Sequence, residues 1–86
     1  QTMLSFASLA LANSNFAGGV TPSDPQRPPA AFEVAFATDD VATAFARATA
    51  AGAAAVSPPK QKPWGQTVAY VRDLNGNLVE LCTPMA

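Results

Sequence analysis

The sequence predicts an α+β fold, a mostly antiparallel sheet with one helix packed on it, and three observations carry that reading. Two β-rich runs, Gln66–Arg72 and Leu78–Thr83, flank the turn Asp73-Leu74-Asn75-Gly76-Asn77. An Asn-Gly pair between alternating apolar runs is a strong short hairpin signal, because both residues tolerate the positive φ of a tight turn. A second alternating run, Phe32–Thr38, leads directly into Thr38-Asp39-Asp40, which supplies a capping side chain and acidic groups at the positive end of a helix dipole. Between this region and a leading apolar stretch lie Gly18-Gly19 and Pro22, Pro25, Pro28 and Pro29, a density that no regular element survives.

Composition sets the limits. Eighty-six residues make at most one small domain. With 49% hydrophobic and 13% charged residues the chain is globular and not disordered, although its many alanines make a thin core. A net charge of −1 without a basic cluster argues against nucleic acid as a partner. The apolar runs are short and broken by Ser, Asn or Gly, so no membrane span is expected. Met3-Leu4-Ser5-Phe6 has no basic run before it, so no signal peptide is expected either. A single cysteine, Cys82, excludes an internal disulfide and points to a reducing, cytoplasmic setting. With no histidine, neither a Ser/His/Asp nor a Cys/His nucleophile system can be built from this chain, and zinc held by Cys and His is excluded within it.

Taken in order, Met3–Ala12 alternates Met3, Ser5, Ala7, Leu9 and Leu11 with Leu4, Phe6, Ser8 and Ala10, yet its Ala-Leu-Ala-Leu repeat suits a helix equally well. Residues 13–31 read as a linker or a flap. In Phe32–Thr38 the bulky face is Phe32, Val34 and Phe36, opposite Glu33, Ala35 and Ala37. Val41, Phe45 and Ala48 then recur at helical spacing, and Gly52 suits the helix stop. The expected packing sets Val41 and Phe45 on Phe32, Val34 and Phe36. Ala53–Ser57 is expected to be a short strand ended by Pro58-Pro59, with Pro59–Pro63 a basic, proline-bounded loop. In the closing arm Val79 and Leu81 share one face and Leu78, Glu80 and Cys82 the other. A carboxylate in mid-strand is costly unless its face is wet or its charge has a partner, so Glu80 marks a candidate site.

The run R-D-x-x-G-N-L-V-E-L from Arg72 to Leu81, preceded by Pro63-Trp64-Gly65, resembles the glyoxalase, bleomycin-resistance and extradiol-dioxygenase superfamily, the vicinal oxygen chelate proteins. The likeness continues upstream through Phe32–Gly52. It implies a βαβββ module over residues 32–86 with a curved sheet, and a linker over 13–31. It also decides Met3–Ala12 in favour of a strand, making residues 1–12 the leading strand of a partial first module whose opening elements would precede Gln1. The superfamily pairs modules, within a chain or between chains, so a homodimer is expected.

The resemblance also weights the chemistry. In metal-dependent members the position of Glu80 is a carboxylate ligand and that of Glu33 is typically a histidine ligand. A further ligand position falls at Ser5, and the remaining one lies on a strand that this chain does not contain. Glu33 and Glu80 are thus the candidate metal ligands, for a divalent cation, if missing ligands come from an N-terminal segment or a partner chain. That reading would make the protein a metal-dependent lyase, isomerase or dioxygenase. The metal-free reading, which the residues present fit better, is a bleomycin-resistance-like binder. It would hold a small, cationic, amphipathic molecule in a cup formed by paired modules, with Glu33, Glu80, Trp64, Tyr70 and Phe6 as candidate contacts. Cys82 reads as a small apolar filler.

Overall fold

Along residues 2–85, which the computed structural model describes, α1 (Leu9–Ser14) is followed by β1 (Glu33–Ala37) and α2 (Val41–Ala50). Then come β2 (Ala54–Gln61), β3 (Thr67–Arg72) and β4 (Leu78–Cys82). The strands form one open sheet in the order β1-β4-β3-β2. β1 runs parallel to β4, and the other two neighbouring pairs are antiparallel. Taken from β1 onward this is the expected βαβββ order, an α+β fold with one helix packed on the sheet.

The local chemistry explains each element. Asp40 caps α2, its Oδ1 accepting the Thr43 N–H at 3.0 Å and its Oδ2 the Thr43 hydroxyl at 2.7 Å. Gly52, at φ 110°, turns the chain out of the helix where an L side chain would be strained. Core packing centres on β3: Ala69 is fully buried, and Val68 and Val71 are nearly so, with Val41 of α2 and Cys82 of β4 completing the buried apolar set.

Four expectations need correction. Residues 3–12 do not form a strand. Ser8 instead accepts the Leu11 N–H at 3.1 Å and caps α1, while the described residues before it form no regular element and pair with no strand. An extended segment keeps strand form only where a neighbour takes its backbone groups; without one, Ser8 and the helix-favouring Ala-Leu repeat prevail. Nor does α2 lie on the bulky face of β1: it covers β3 and β2 and reaches β4, leaving Phe32 and Phe36 exposed. The reason is topological. β1 is the outer strand beyond β4, and α2 crosses over the middle of the sheet.

β2 does not stop at Pro58-Pro59 but continues to Gln61, with register shifts around Ser57 and before Lys60. Proline is tolerated there because β2 is an edge strand and the shifts absorb the missing donors. Finally, only Gly76 takes a positive φ in the β3–β4 turn, at 90°; Asn75 does not. The turn spans Asp73–Asn77 as expected, but its conformation is set by Asp73 and Gly76 and not by a positive φ at Asn75. The Asp73 carboxylate accepts N–H bonds from Asn75 at 2.9 Å and Asn77 at 2.8 Å, and Asp73 N–H donates to the Asn77 carbonyl at 3.0 Å.

Candidate functional site

Strand register assembles the site. Glu33 lies beside Leu78 and Ala35 beside Glu80 in the parallel β1–β4 pair, and Tyr70 faces Glu80 across the antiparallel β3–β4 pair. Because side chains alternate, Glu33, Tyr70, Glu80 and Cys82 all project from one face of the sheet. Val34, Phe36, Val79 and Leu81 project from the other. The Tyr70 hydroxyl donates to Glu80 Oε1 at 3.0 Å, which fixes that carboxylate from the neighbouring strand.

The electrostatics follow from this crowding. Glu33 is held above the usual carboxylate range, first by loss of hydration and then by a hydrogen bond with Glu80 and the repulsion of its charge. Tyr70 is pushed up to about 12 by burial, by its bond to Glu80 and by both carboxylates, so it remains a donor across the physiological range. Cys82 is raised by burial, then by Glu80 and Glu33, and its Sγ sits 3.7 Å from the Phe36 carbonyl oxygen. It is a neutral, packed thiol, consistent with the filler role.

The other candidates stand apart from the carboxylates. Trp64 is 63% exposed in the β2–β3 loop, its indole N–H donating to Gln66 Oε1 at 2.9 Å. Phe6, 88% exposed, borders a separate cavity of about 250 Å³ with Leu4, Phe32, Val34, Phe36 and Val79. By register that cavity lies toward the face opposite Glu33.

Sequence reading assigned no role to Arg72, although it opens the closing motif. Its guanidinium donates from Nε to the Gly76 carbonyl at 2.8 Å, from Nη1 to Pro25 O at 3.2 Å and from Nη2 to Asp24 O at 3.0 Å. A cation that alternation puts on the carboxylate face is thereby committed to backbone carbonyls. Only the fold brings those carbonyls close, across 47 and 48 residues of sequence. Among the described residues the one ion pair is Arg27 with Asp24, so neither Glu33 nor Glu80 has a basic partner there.

A divalent metal fits this donor set poorly. Glu33 and Glu80 supply hard oxygens, but among the described residues no group of three or more His, Cys, Asp or Glu converges on a common point. The neutral Cys82 thiol does not make up the difference. No helix among the described residues is long and apolar enough to cross a membrane.

A parallel β1–β4 pair, a helix over the sheet and a carboxylate on the closing strand define a glyoxalase-like module. The sequence profile of the glyoxalase-like domain matches residues 13–86, and the chain belongs to that family. Among solved structures it is similar to TioX from Micromonospora sp. ML1, with 36% identity and a TM-score of 0.55 over 86% of this chain and 52% of that one. A glyoxalase-related enzyme from Fulvimarina pelagi shares the fold at a TM-score of 0.71 and 23% identity, over 88% of this chain and 53% of the other. A glyoxalase/bleomycin resistance protein/dioxygenase superfamily member from Sphaerobacter thermophilus aligns at 28% identity and a TM-score of 0.56, over 67% of this chain and 47% of its own. The chain thus spans about half the length of these structures. No curated protein matches it.

Proposed function

We propose that this chain is a small-molecule-binding module that takes a cationic, amphipathic ligand on the face bearing Glu33, Glu80 and Tyr70, in a cup completed by a second module. The observation that carries the reading is the crowding of Glu33 against Glu80 with no basic partner among the described residues. Two carboxylates on one face are relieved by a proton, a metal or a ligand cation. With the metal donor set incomplete, an organic cation is the relief that these residues suit. Membership in the glyoxalase-like family supports small-molecule binding in general, and the ligand's positive charge is inferred from the two carboxylates without a basic partner among the described residues. The role that these residues suit is sequestration, with two carboxylates and the Tyr70 hydroxyl forming a charged wall.

The need for a second module rests on the exposed outer edge of β1 and on Phe32 and Phe36, 74% and 45% exposed beside it. An open edge beside bare aromatic rings is a surface that folded proteins generally cover. Sedimentation is expected to give a dimer, and a monomer at micromolar concentration would remove that part of the proposal.

The ligand class is tested with an aryl-alkyl quaternary ammonium ion and its neutral carbon isostere. Binding is followed by Trp64 fluorescence and checked by calorimetry. Glu80→Gln is expected to weaken the cation by about 1–3 kcal/mol, the scale of a lost charge-assisted interaction, and to leave the neutral isostere nearly unchanged. Equal losses for both compounds would refute the cationic preference. Stoichiometric divalent metal lost on Glu80→Gln would replace it with the metal-dependent reading.

A further inference from the structure

We propose that Asn75 is a site of spontaneous deamidation, and that the docked segment around Asp24 and Pro25 keeps it unreacted in the folded chain. Asn75 is exposed, and its side-chain amide has no hydrogen-bond partner among the described residues. The next residue, Gly76, has no Cβ to obstruct ring closure. In the reaction the main-chain nitrogen of Gly76 attacks Asn75 Cγ and forms a C–N bond. The Cγ–Nδ2 bond breaks, and ammonia departs carrying the proton that Gly76 nitrogen gave up. Water then opens the succinimide at either carbonyl, leaving an aspartyl or an isoaspartyl residue at position 75. The only co-reactant is water, and no oxidant or reductant takes part.

The fold holds the nucleophile at both ends of its residue. Gly76 N–H donates to the Asp73 carbonyl at 3.0 Å, and the Gly76 carbonyl accepts Arg72 Nε at 2.8 Å. Gly76 is buried, and a Cβ placed on it would meet Pro25 N at 2.7 Å and the Asp24 carbonyl carbon at 2.9 Å. Arg72 clamps the same two residues through their carbonyl oxygens. The nitrogen therefore cannot shed its proton and swing toward Cγ until the turn opens. Deamidation should follow the same local opening that governs amide exchange. Once formed, an isoaspartyl link puts an extra main-chain carbon into a loop whose N–H groups converge on Asp73, along with a second carboxylate near it. That loop no longer closes on Asp73 in the same way, and the strap loses its seat.

The test incubates the full chain at mildly alkaline pH and follows isoaspartate at position 75 by peptide mapping. The unfolded reference is a free peptide spanning residues 73–79, and Gly76 amide exchange is measured in parallel. The folded chain is expected to react at least about tenfold more slowly than the peptide, reflecting the cost of opening. Arg72→Ala should accelerate exchange and deamidation together, and Asn75→Gln should abolish the product. If Arg72→Ala does not fold, Arg72→Lys keeps the charge while removing the forked donors and serves in its place. A folded chain that reacts at the peptide's rate overturns the proposal. So does an Arg72 variant that frees Gly76 exchange without speeding the modification, or one that changes neither.

Discussion

Residues 2–32 and residues 33–85 are held in place by different physics. Every buried apolar side chain, Val41, Val68, Ala69, Val71 and Cys82, lies in the second region. The first contains Met3, Leu4, Phe6, Leu9, Leu11, Phe16 and Val20, and each is at least 40% exposed. It is tied down by polar contacts: Arg72 to the Asp24 and Pro25 carbonyls, and the Ser23 hydroxyl to Asn77 Oδ1. Hydrophobic burial fixes the module, whereas one guanidinium and a turn position the leading segment. Apolar content alone therefore does not mark a core; what counts is which residues the topology brings against another element.

The largest expected effect tests the first half of that contrast. Val71→Ala removes two buried methyl groups and leaves a cavity under α2, and is expected to cost about 2–3 kcal/mol in urea unfolding. Phe6→Ala deletes a much larger side chain from the leading segment, yet should stay within about 0.5 kcal/mol while the chain is monomeric. A Phe6→Ala loss comparable to that of Val71→Ala would mean that the leading segment is buried in solution. A loss that appears only at concentrations where chains pair would sharpen the contrast, by placing Phe6 at a contact between copies.

Gly76→Ala comes next, because it strikes where the two regions meet. Its φ of 90° is strained for alanine, and the added Cβ would collide with Pro25 nitrogen. An expected cost of about 1–2 kcal/mol combines backbone strain with loss of the docked strap. Amide exchange should show residues 23–26 released while β3 stays protected. Combined with Arg72→Ala, the loss should be clearly less than additive, since both changes undo one contact. Additive losses would show that the strap and the turn are independent.

How far the sequence revealed this arrangement depended on the range of the interactions. The hairpin, the capped α2 and the alternation in β4 rest on neighbours a few residues apart, and they emerged in the expected order. Glu33 and Glu80 were placed on one face by strand parity and the family resemblance together, and the register agrees. What could not be read were consequences of topology. That α2 passes over β3 and not β1 depends on strand order. That Ser8 starts a helix depends on whether a strand is available to pair with residues 3–12. The clamp by Arg72 joins residues almost fifty positions apart, and no local pattern announces it. Proline at positions 58 and 59 misled for a related reason, since its cost depends on whether the strand lies at an edge.

The smallest effect separates the carboxylate face from the turn by the sign of its pH dependence. Glu33 has its folded pKa raised above the ordinary carboxylate value, by lost hydration and by Glu80. The folded state therefore binds its proton more tightly than the unfolded state does. Its contribution is most favourable below about that value and is lost as pH rises through the folded pKa. Asp73 behaves in the opposite way. Partial burial pushes it up, but the Asn77 side-chain amide and the N–H groups of Asn77, Asn75 and Gly76 outweigh this and hold it below 3.8. Its contribution is present above that value and fades as pH falls through the folded pKa. Glu33→Gln should flatten the decline on the weakly acidic side and leave the chain slightly more stable at neutral pH. Asp73→Asn should instead destabilise at neutral pH and cost progressively less in acid. Thermal melts of both variants and the parent across acidic and neutral pH decide the matter. Slopes of the same sign in the two variants would show that Glu33 is not crowded by Glu80, and would remove the electrostatic basis of the proposed cation site.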